Sequence, residues 1–417
     1  MKKSHGLRLA IAFGISMALI LSWAIPAKAQ RTYTVTDLGS VPGAFQTSPS
    51  DINNRGEIPL TSFLSFFPVF ETVGFVSQDG KMIFLPTFGG QFSLPLAIND
   101  SGVVAGSANF VGDTITHAAI WNGDLVHITD LGTLGGPTSA ANGINNLREV
   151  AGGSVVSNGT DTHAFLWTGG RMSDLGTLGG SMSFAFAIND SSLVVGQSDT
   201  TTTLDPMLGI PPFHGFRSQR DVMSDLGEIF GGHFNYGQDV NNRGEIVGAA
   251  DLAGDLTGHA FMIQGGSLTD LGTVPGDTNS AAFGVNNLGQ VVGTSALAAS
   301  IPGLPPVQNW ICPCHAVIWE GGNVTDLNTR IPPGTGWQLS FALAINDLGQ
   351  IVGFGTLNNG FAVSAFLLTP QEGNSPSSAT SAAQANSTAA PSQASPAGPA
   401  GIQVRIIDGR PRIVVQR

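Results

Sequence analysis

The chain has 417 residues, with 56 Gly, 11% charged side chains and a formal net charge of −12. That acidity excludes nucleic acid as a partner, because binding it depends on neutralising phosphates with basic side chains. Two cysteines cannot staple a fold of this size, so stability has to come from a buried core, and the abundant Gly points to short strands joined by tight turns.

Lys2, Lys3 and Arg8 precede an almost wholly apolar stretch from Leu9 to Ile25, and Ala27-Lys28-Ala29 supplies a small-x-small cleavage site. This predicts a secretory signal over residues 1–29 and a secreted, periplasmic or cell-envelope location. The apolar run is shorter than the ~20 residues of a membrane span, and none is expected after cleavage. From Gln30 onward, 13 Lys+Arg face 29 Asp+Glu, a formal charge of −16.

Residues 30–370 are a repeat. One unit runs Ser139 to Gly153, then Thr162-His-Ala-Phe-Leu-Trp167, then Met172 to Gly180. An Ile-Asn or Val-Asn step recurs with Asn at 53, 99, 145, 189, 241, 286 and 346, spaced 44 to 60 residues apart. Each unit holds four β-branched or aromatic segments bounded by Gly, Asn and Asp, which read as strands. Asn-Asp-Ser-Gly (99–102) and Gly169-Gly170 are turn chemistry between them. Four antiparallel strands per unit fit a propeller blade. The chain opens with a lone fourth segment, Tyr33 to Gly39, and its last unit supplies only three, ending at Ala365 to Leu368. The orphan can complete the deficient sheet. The expected fold is therefore all-β, a seven-bladed β-propeller closed by the N-terminal strand; a β-solenoid, or six blades with an irregular module, are the alternatives.

Asp-Leu-Gly-Thr-Leu-Gly-Gly (130–136 and 174–180), Ala-Ile-Asn-Asp (97–100, 187–190, 344–347) and Thr-His-Ala-Phe-Leu-Trp (162–167) resemble the HAF-repeat family of extracellular bacterial repeat proteins. The resemblance covers residues 33 to 369 and implies secretion and a repeat architecture. It brings no catalytic residue. The first unit departs most, lacking the His and Trp of its third segment and the Asp of its fourth.

Residues 371–400 are Ser, Ala, Pro, Gln and Asn with no aromatic, a composition unable to bury a core, and read as a disordered linker. Residues 401–417 regain order as a short basic hairpin around Asp408-Gly409.

Among candidate chemical residues, the repeated His117, His163, His214, His259 and His315 occupy equivalent places in separate blades, too far apart to share a metal ion. They read as structural, a ring nitrogen bonded to neighbouring backbone. The repeated Asp37, Asp130, Asp174, Asp225, Asp270 and Asp326 read as turn formers whose carboxylates accept backbone N–H bonds. No cofactor is expected; calcium alone is left open by the Asp and Asn content, although Asn-Asp-Ser-Gly falls short of the twelve-residue calcium loop. Cys312-Pro-Cys314 allows a tight bridge, two free thiols or a two-thiolate metal edge.

Function is expected where the repeat is interrupted. Insertions at Asp199 to Pro212, Leu297 to Cys312 and Asn328 to Gln338 fall in connections that emerge on one face of the disc, and a loop from Gly231 to Gly237 joins them. The candidate ligand contacts are Trp310, Trp337, Arg330, Tyr236 and His233. The sequence thus reads as a monomeric, non-catalytic binding or surface module for an extracellular glycan or protein. The alternatives are a hydrolase or lyase acting on polysaccharide or a small ester, and an envelope protein without a specific ligand.

Overall fold

The structure, a computed structural model, describes residues 31–65, 71–206, 209–298, 310–358, 363–371, 402–407 and 410–415. The expected signal segment and the expected linker lie outside the described residues.

Residues 33 to 370 form a seven-bladed β-propeller. Each blade is an antiparallel sheet of four strands; the second is Gly89–Ile98, Val104–Phe110, Thr116–Trp121 and Ile128–Gly132. The first strand of each unit is innermost and the fourth outermost. The last blade is completed by Tyr33–Asp37, which pairs antiparallel with Val363–Pro370, from Tyr33 opposite Pro370 to Asp37 opposite Phe366. The seam is reinforced at both ends. Tyr33 N–H donates to Arg330 O (2.9 Å), Leu38 N–H to Ala365 O (3.0 Å) and Gln371 N–H to Thr32 O (2.8 Å). The Tyr33 ring, 1% exposed, packs with Leu327, Leu339, Phe366 and Leu368. The remaining strands, Ile402–Ile407 and Arg410–Val415, pair with each other.

The core lies between blades. Ile120 and Leu131 of the second blade bury against Ala141, Val150 and Phe165 of the third, and a fully buried side chain of this size contributes roughly 1.5–3 kcal/mol. From the second blade to the last, the inner strand carries a register shift two or three residues before the repeated Asn. It pushes an inner-strand carbonyl against the second strand. There the Gly of Val-Val-Gly is obligatory: a Cβ at Gly196 would collide with Phe184 O, and one at Gly248 with Tyr236 O. The first blade lacks that shift, and Leu60 stands where the others have Gly. Leu60 in place of Gly therefore has a structural cause, and the first blade still forms four strands.

Candidate functional site: the axial channel

The seven inner strands line a channel whose layers follow from position relative to the repeated Asn. At one mouth the Asn side chains form a closed circuit. Asn53 Nδ2 donates to Asn99 O, Asn99 to Asn145 O, and so on through Asn346 to Asn53 O, all at 2.9–3.0 Å. Each Asn Oδ1 also accepts N–H bonds from its own turn, as Asn189 does from Ser191 and Leu193 (both 3.0 Å).

The next residues, Asn54, Asp100, Asn146, Asp190, Asn242, Asn287 and Asp347, form a second circuit, each backbone N–H donating to the next Oδ1 at 2.8–2.9 Å. Each aspartate Oδ2 then accepts from the amides on either side: Asp100 from Asn54 and Asn146, Asp190 from Asn146 and Asn242, Asp347 from Asn54 and Asn287. The carboxylates are thereby satisfied within the ring. This mouth encloses a cavity of about 160 Å3.

Beneath it, Ile52, Ile98, Ile144, Ile188, Val240, Val285 and Ile345 make an apolar girdle, each 5–8% exposed. Beyond the girdle lies a chamber of about 230 Å3. Here the sevenfold repeat breaks. Three residues before each Asn stand Ser50, Leu96, Asn142, Phe186, Gln238, Phe283 and Leu343, all lining the chamber. Two residues before it, five units have Ala or Gly, but the first and fifth have Asp51 and Asp239.

Both carboxylates bridge blades. Asp51 accepts from Ile52 N–H (2.8 Å) and from Ile98 N–H of the next blade (2.9 Å). Asp239 accepts from Val240 and Val285 N–H, each at 2.8 Å. Both are half-buried and line the chamber. Burial pushes the Asp51 carboxyl up to about 7 against those two N–H bonds, with Asp239 and Asp100 adding repulsion. Burial raises Asp239 likewise. Phe186 of the fourth blade and Phe283 of the sixth line the chamber; Phe186 meets Tyr236 edge-on (6.4 Å), and Phe283 lies 6.2 Å from Phe341.

The residues expected to form a loop-face site are distributed otherwise. Gly231 to Gly237 is not a loop but part of the inner strand Gly231–Val240. Tyr236 is 7% exposed and packs with Phe213 and Phe234, with Ile210 of the first insertion and Phe186 against them. Burial, with Asp251 nearby, holds its phenol above the ordinary value. Trp337 opens the strand Trp337–Ile345, half-buried, its ring edge-on to Phe366 (5.9 Å) in the cluster that seats Tyr33. Arg330 Nη2 donates to Thr325 Oγ1 (3.4 Å) and its carbonyl holds the closing strand. His233 is exposed at the edge of the fifth blade, Nδ1 2.6 Å from Asp255 Oδ2. Trp310 begins the strand Trp310–Glu320 opposite Ala298; its side chain lies outside the described residues. Tyr236 and Trp337 thus belong to two separate clusters.

The repeated His and Asp partner each other rather than backbone and turn alone. His117 pairs with Asp130, His163 with Asp174, His214 with Asp225 and His259 with Asp270, at 2.9–3.0 Å. Each of these Asp also accepts the expected N–H two residues on, such as Gly176 to Asp174 (2.7 Å). In the sixth blade His315 turns instead to Asp277 (2.9 Å). Cys314 is disulfide-bonded and is not a free thiol; the side chain of Cys312 lies outside the described residues. Among the described residues no three His, Cys, Asp or Glu side chains gather to hold a metal ion, and no helix is long and apolar enough to cross a membrane.

Asp51, Asp239 and the chamber were not among the candidates read from sequence. The signal was present: aligning the seven units on their Asn exposes two acids where the other copies have only Ala or Gly.

No family model and no curated protein sequence matches the chain. Among solved structures it is similar to the β-propeller domain of the Trilobed protease from Pyrococcus furiosus, described as an open velcro. That likeness has 10% identity and a TM-score of 0.52 over 79% of this chain and 96% of that one. More distant are an oligogalacturonate lyase from Vibrio parahaemolyticus (8% identity, TM-score 0.45, 80% and 93% covered) and a xyloglucanase from Xanthomonas campestris (12%, 0.42, 79% and 44%). At these identities the likeness is one of fold: the chain is built as a β-propeller, an architecture able to present a binding or catalytic surface.

Proposed function

We propose that this is an exported propeller of the HAF-repeat type that binds a small ligand in its axial chamber. One observation carries the reading. The chamber is where residues of one structural position differ from blade to blade, while the girdle and the mouth directly beside it keep the repeat. Convergent polar groups beside aromatic walls are the usual make-up of a ligand pocket, although about 230 Å3 falls below the usual 300–1,000 Å3 and limits the ligand's size. A thermal-shift screen of small polar metabolites tests it. Hits should disappear in Ala187→Phe, which fills the chamber, and persist in Trp337→Ala. Hits that survive chamber filling and vanish with Trp337 would return the site to the loop face, with a glycan or protein as partner.

A second reading is favoured by Asp51 and Asp239 themselves. Two carboxyl groups in one chamber, one of them pushed up to about 7, have the composition of an acid–base pair for hydrolysis of a small glycoside or ester. Turnover of such substrates that is abolished in Asp51→Asn would establish it; binding without turnover would leave the chamber a receptor.

A further inference from the structure

We infer that the chamber's ligand is a small organic cation, an alkylammonium held between Asp51, Asp239 and the faces of Phe186 and Phe283. The inference rests on the chamber reading and names the chemistry of its ligand.

Charge is the first argument. Among the described residues, Asp51 and Asp239 are the chamber's only ionisable linings, with no Lys, Arg or His beside them. Two carboxylates in one chamber repel each other and are costly to desolvate, and no cationic side chain among the described residues lines the chamber to balance them. Each is fixed in place by two backbone N–H bonds, and a carboxylate has acceptor capacity beyond two.

The walls supply the second argument. Phe186 and Phe283 are half-buried, contribute to the chamber lining, and are fixed by Tyr236 and Phe341 behind them. A rigid aromatic face attracts a weakly hydrated cation through its quadrupole, and does so best in a desolvated site. Gln238 adds an amide with no side-chain hydrogen bond among the described residues, and Asn142, whose Nδ2 donates to Ala185 O (2.8 Å), orients its amide at the rim. Donor density is the third. Calcium takes six to eight oxygen ligands, whereas the chamber offers two carboxylates, and no three His, Cys, Asp or Glu side chains gather here among the described residues. Apolar Leu96, Leu343 and the two Phe suit the carbon shell of an alkylammonium instead.

The test is isothermal titration of residues 30–417 with choline, with dimethylbutanol as its uncharged carbon isostere, and with calcium chloride. Choline should bind at least about tenfold more tightly than dimethylbutanol, and Asp51→Asn or Asp239→Asn should each weaken choline by at least about tenfold while leaving dimethylbutanol within twofold. Calcium should give no saturable heat. If an Asn variant does not melt cooperatively, Phe186→Leu replaces it and should weaken choline but not abolish it. Equal affinity for choline and dimethylbutanol overturns the cationic ligand and leaves the chamber a small-molecule site. So does silence toward both when another metabolite shifts the melting point in a chamber-dependent way. Silence toward every compound overturns both readings.

Discussion

The channel mouth and the chamber are built from adjacent residues of the same seven strands, yet they follow opposite rules. At the mouth, position in the repeat decides everything: seven Asn amides close a circuit, and three aspartates take their bonds from neighbouring amides. Two or three residues earlier the strands present Ser, Leu, Asn, Phe and Gln at one position and two acids at the next. A sevenfold circuit is satisfied only if every member conforms, since each buried amide is both donor and acceptor. The chamber has no such circuit, and its wall is free to differ from blade to blade. What repeats here holds the ring, and what varies is available to a ligand.

The largest effect should come from deleting residues 31–39, which removes the closing strand without touching either layer. The mouth circuit also crosses that seam, through Asn346 Nδ2 to Asn53 O (3.0 Å) and Asp347 N–H to Asn54 Oδ1 (2.9 Å). The deletion exposes the edge of Val363–Pro370 and empties the place of Tyr33. The expectation is loss of the cooperative melt and aggregation on size exclusion. An unchanged melting point would mean that the amide circuit alone holds the seam.

Next come paired substitutions that set the two layers against each other. Asn189→Ala removes one donor and strands Ser191 N–H, Leu193 N–H and Asn241 O, in a residue 4% exposed. It should cost about 3 kcal/mol or more by denaturant unfolding. Phe186→Leu in the half-open chamber should cost about 1 kcal/mol. If the two costs were equal, the division between framework and variable wall would fail.

The chamber acids sharpen the contrast through pH. Asp51 in the folded ring titrates at about 7, above its ordinary 3.8, so between those values the folded state keeps a proton the unfolded state has lost. Its contribution is fully present below the ordinary value and is lost as pH rises through about 7, at up to about 1.4 kcal/mol per pH unit. Asp51→Asn keeps an amide oxygen for one of the two N–H donors and does not titrate. The stability difference between wild type and variant should therefore fall from pH 4 to pH 7 and level off above. A difference that rises with pH would show that the two N–H bonds outweigh burial.

Much of the framework was legible in the sequence because it repeats. The Asn spacing, the Gly turns and the unmatched segments at the two ends are sufficient to count blades and close the ring. The site was less legible for the converse reason. Asp51 and Asp239 have no motif around them, and their significance arises from five other blades carrying Ala or Gly at the same depth. Tyr236 reads as exposed in the sequence and is buried for a physical reason. A large ring beside Gly or Pro in an insertion reads as exposed, but a propeller with narrow inner strands uses such rings to fill the wedge between blades, as Tyr236 does behind Phe186. The pairing of His163 with Asp174 has no local signal in the sequence, because the partners stand 11 residues apart and meet only across adjacent antiparallel strands.

The smallest effect separates framework from function at a single exposed residue, His233. Its N–H donates to Asp255 Oδ1 (2.9 Å) and its Nδ1 meets Asp255 Oδ2 (2.6 Å). The second blade does the same with a different side chain: Gln91 N–H and Nε2 bond the two oxygens of Asp113 at 2.7 and 3.3 Å. A role that Gln fills in one blade and His in another belongs to the scaffold, so His233→Gln should fold and bind as the wild type does. The one difference is a proton. The hydrogen bond to Asp255, and then its charge, raise the His233 imidazole above its ordinary 6.5. The raised value gives the wild type extra stability that is complete below 6.5 and lost as pH rises through the folded value. Because the ring is 57% exposed, that advantage should be about a few tenths of a kcal/mol. Melting curves of the two proteins should differ slightly at pH 5 and coincide at pH 8. A loss of ligand affinity in His233→Gln at pH 8, with the melting curve unchanged, would take His233 out of the scaffold and put it back on a binding surface.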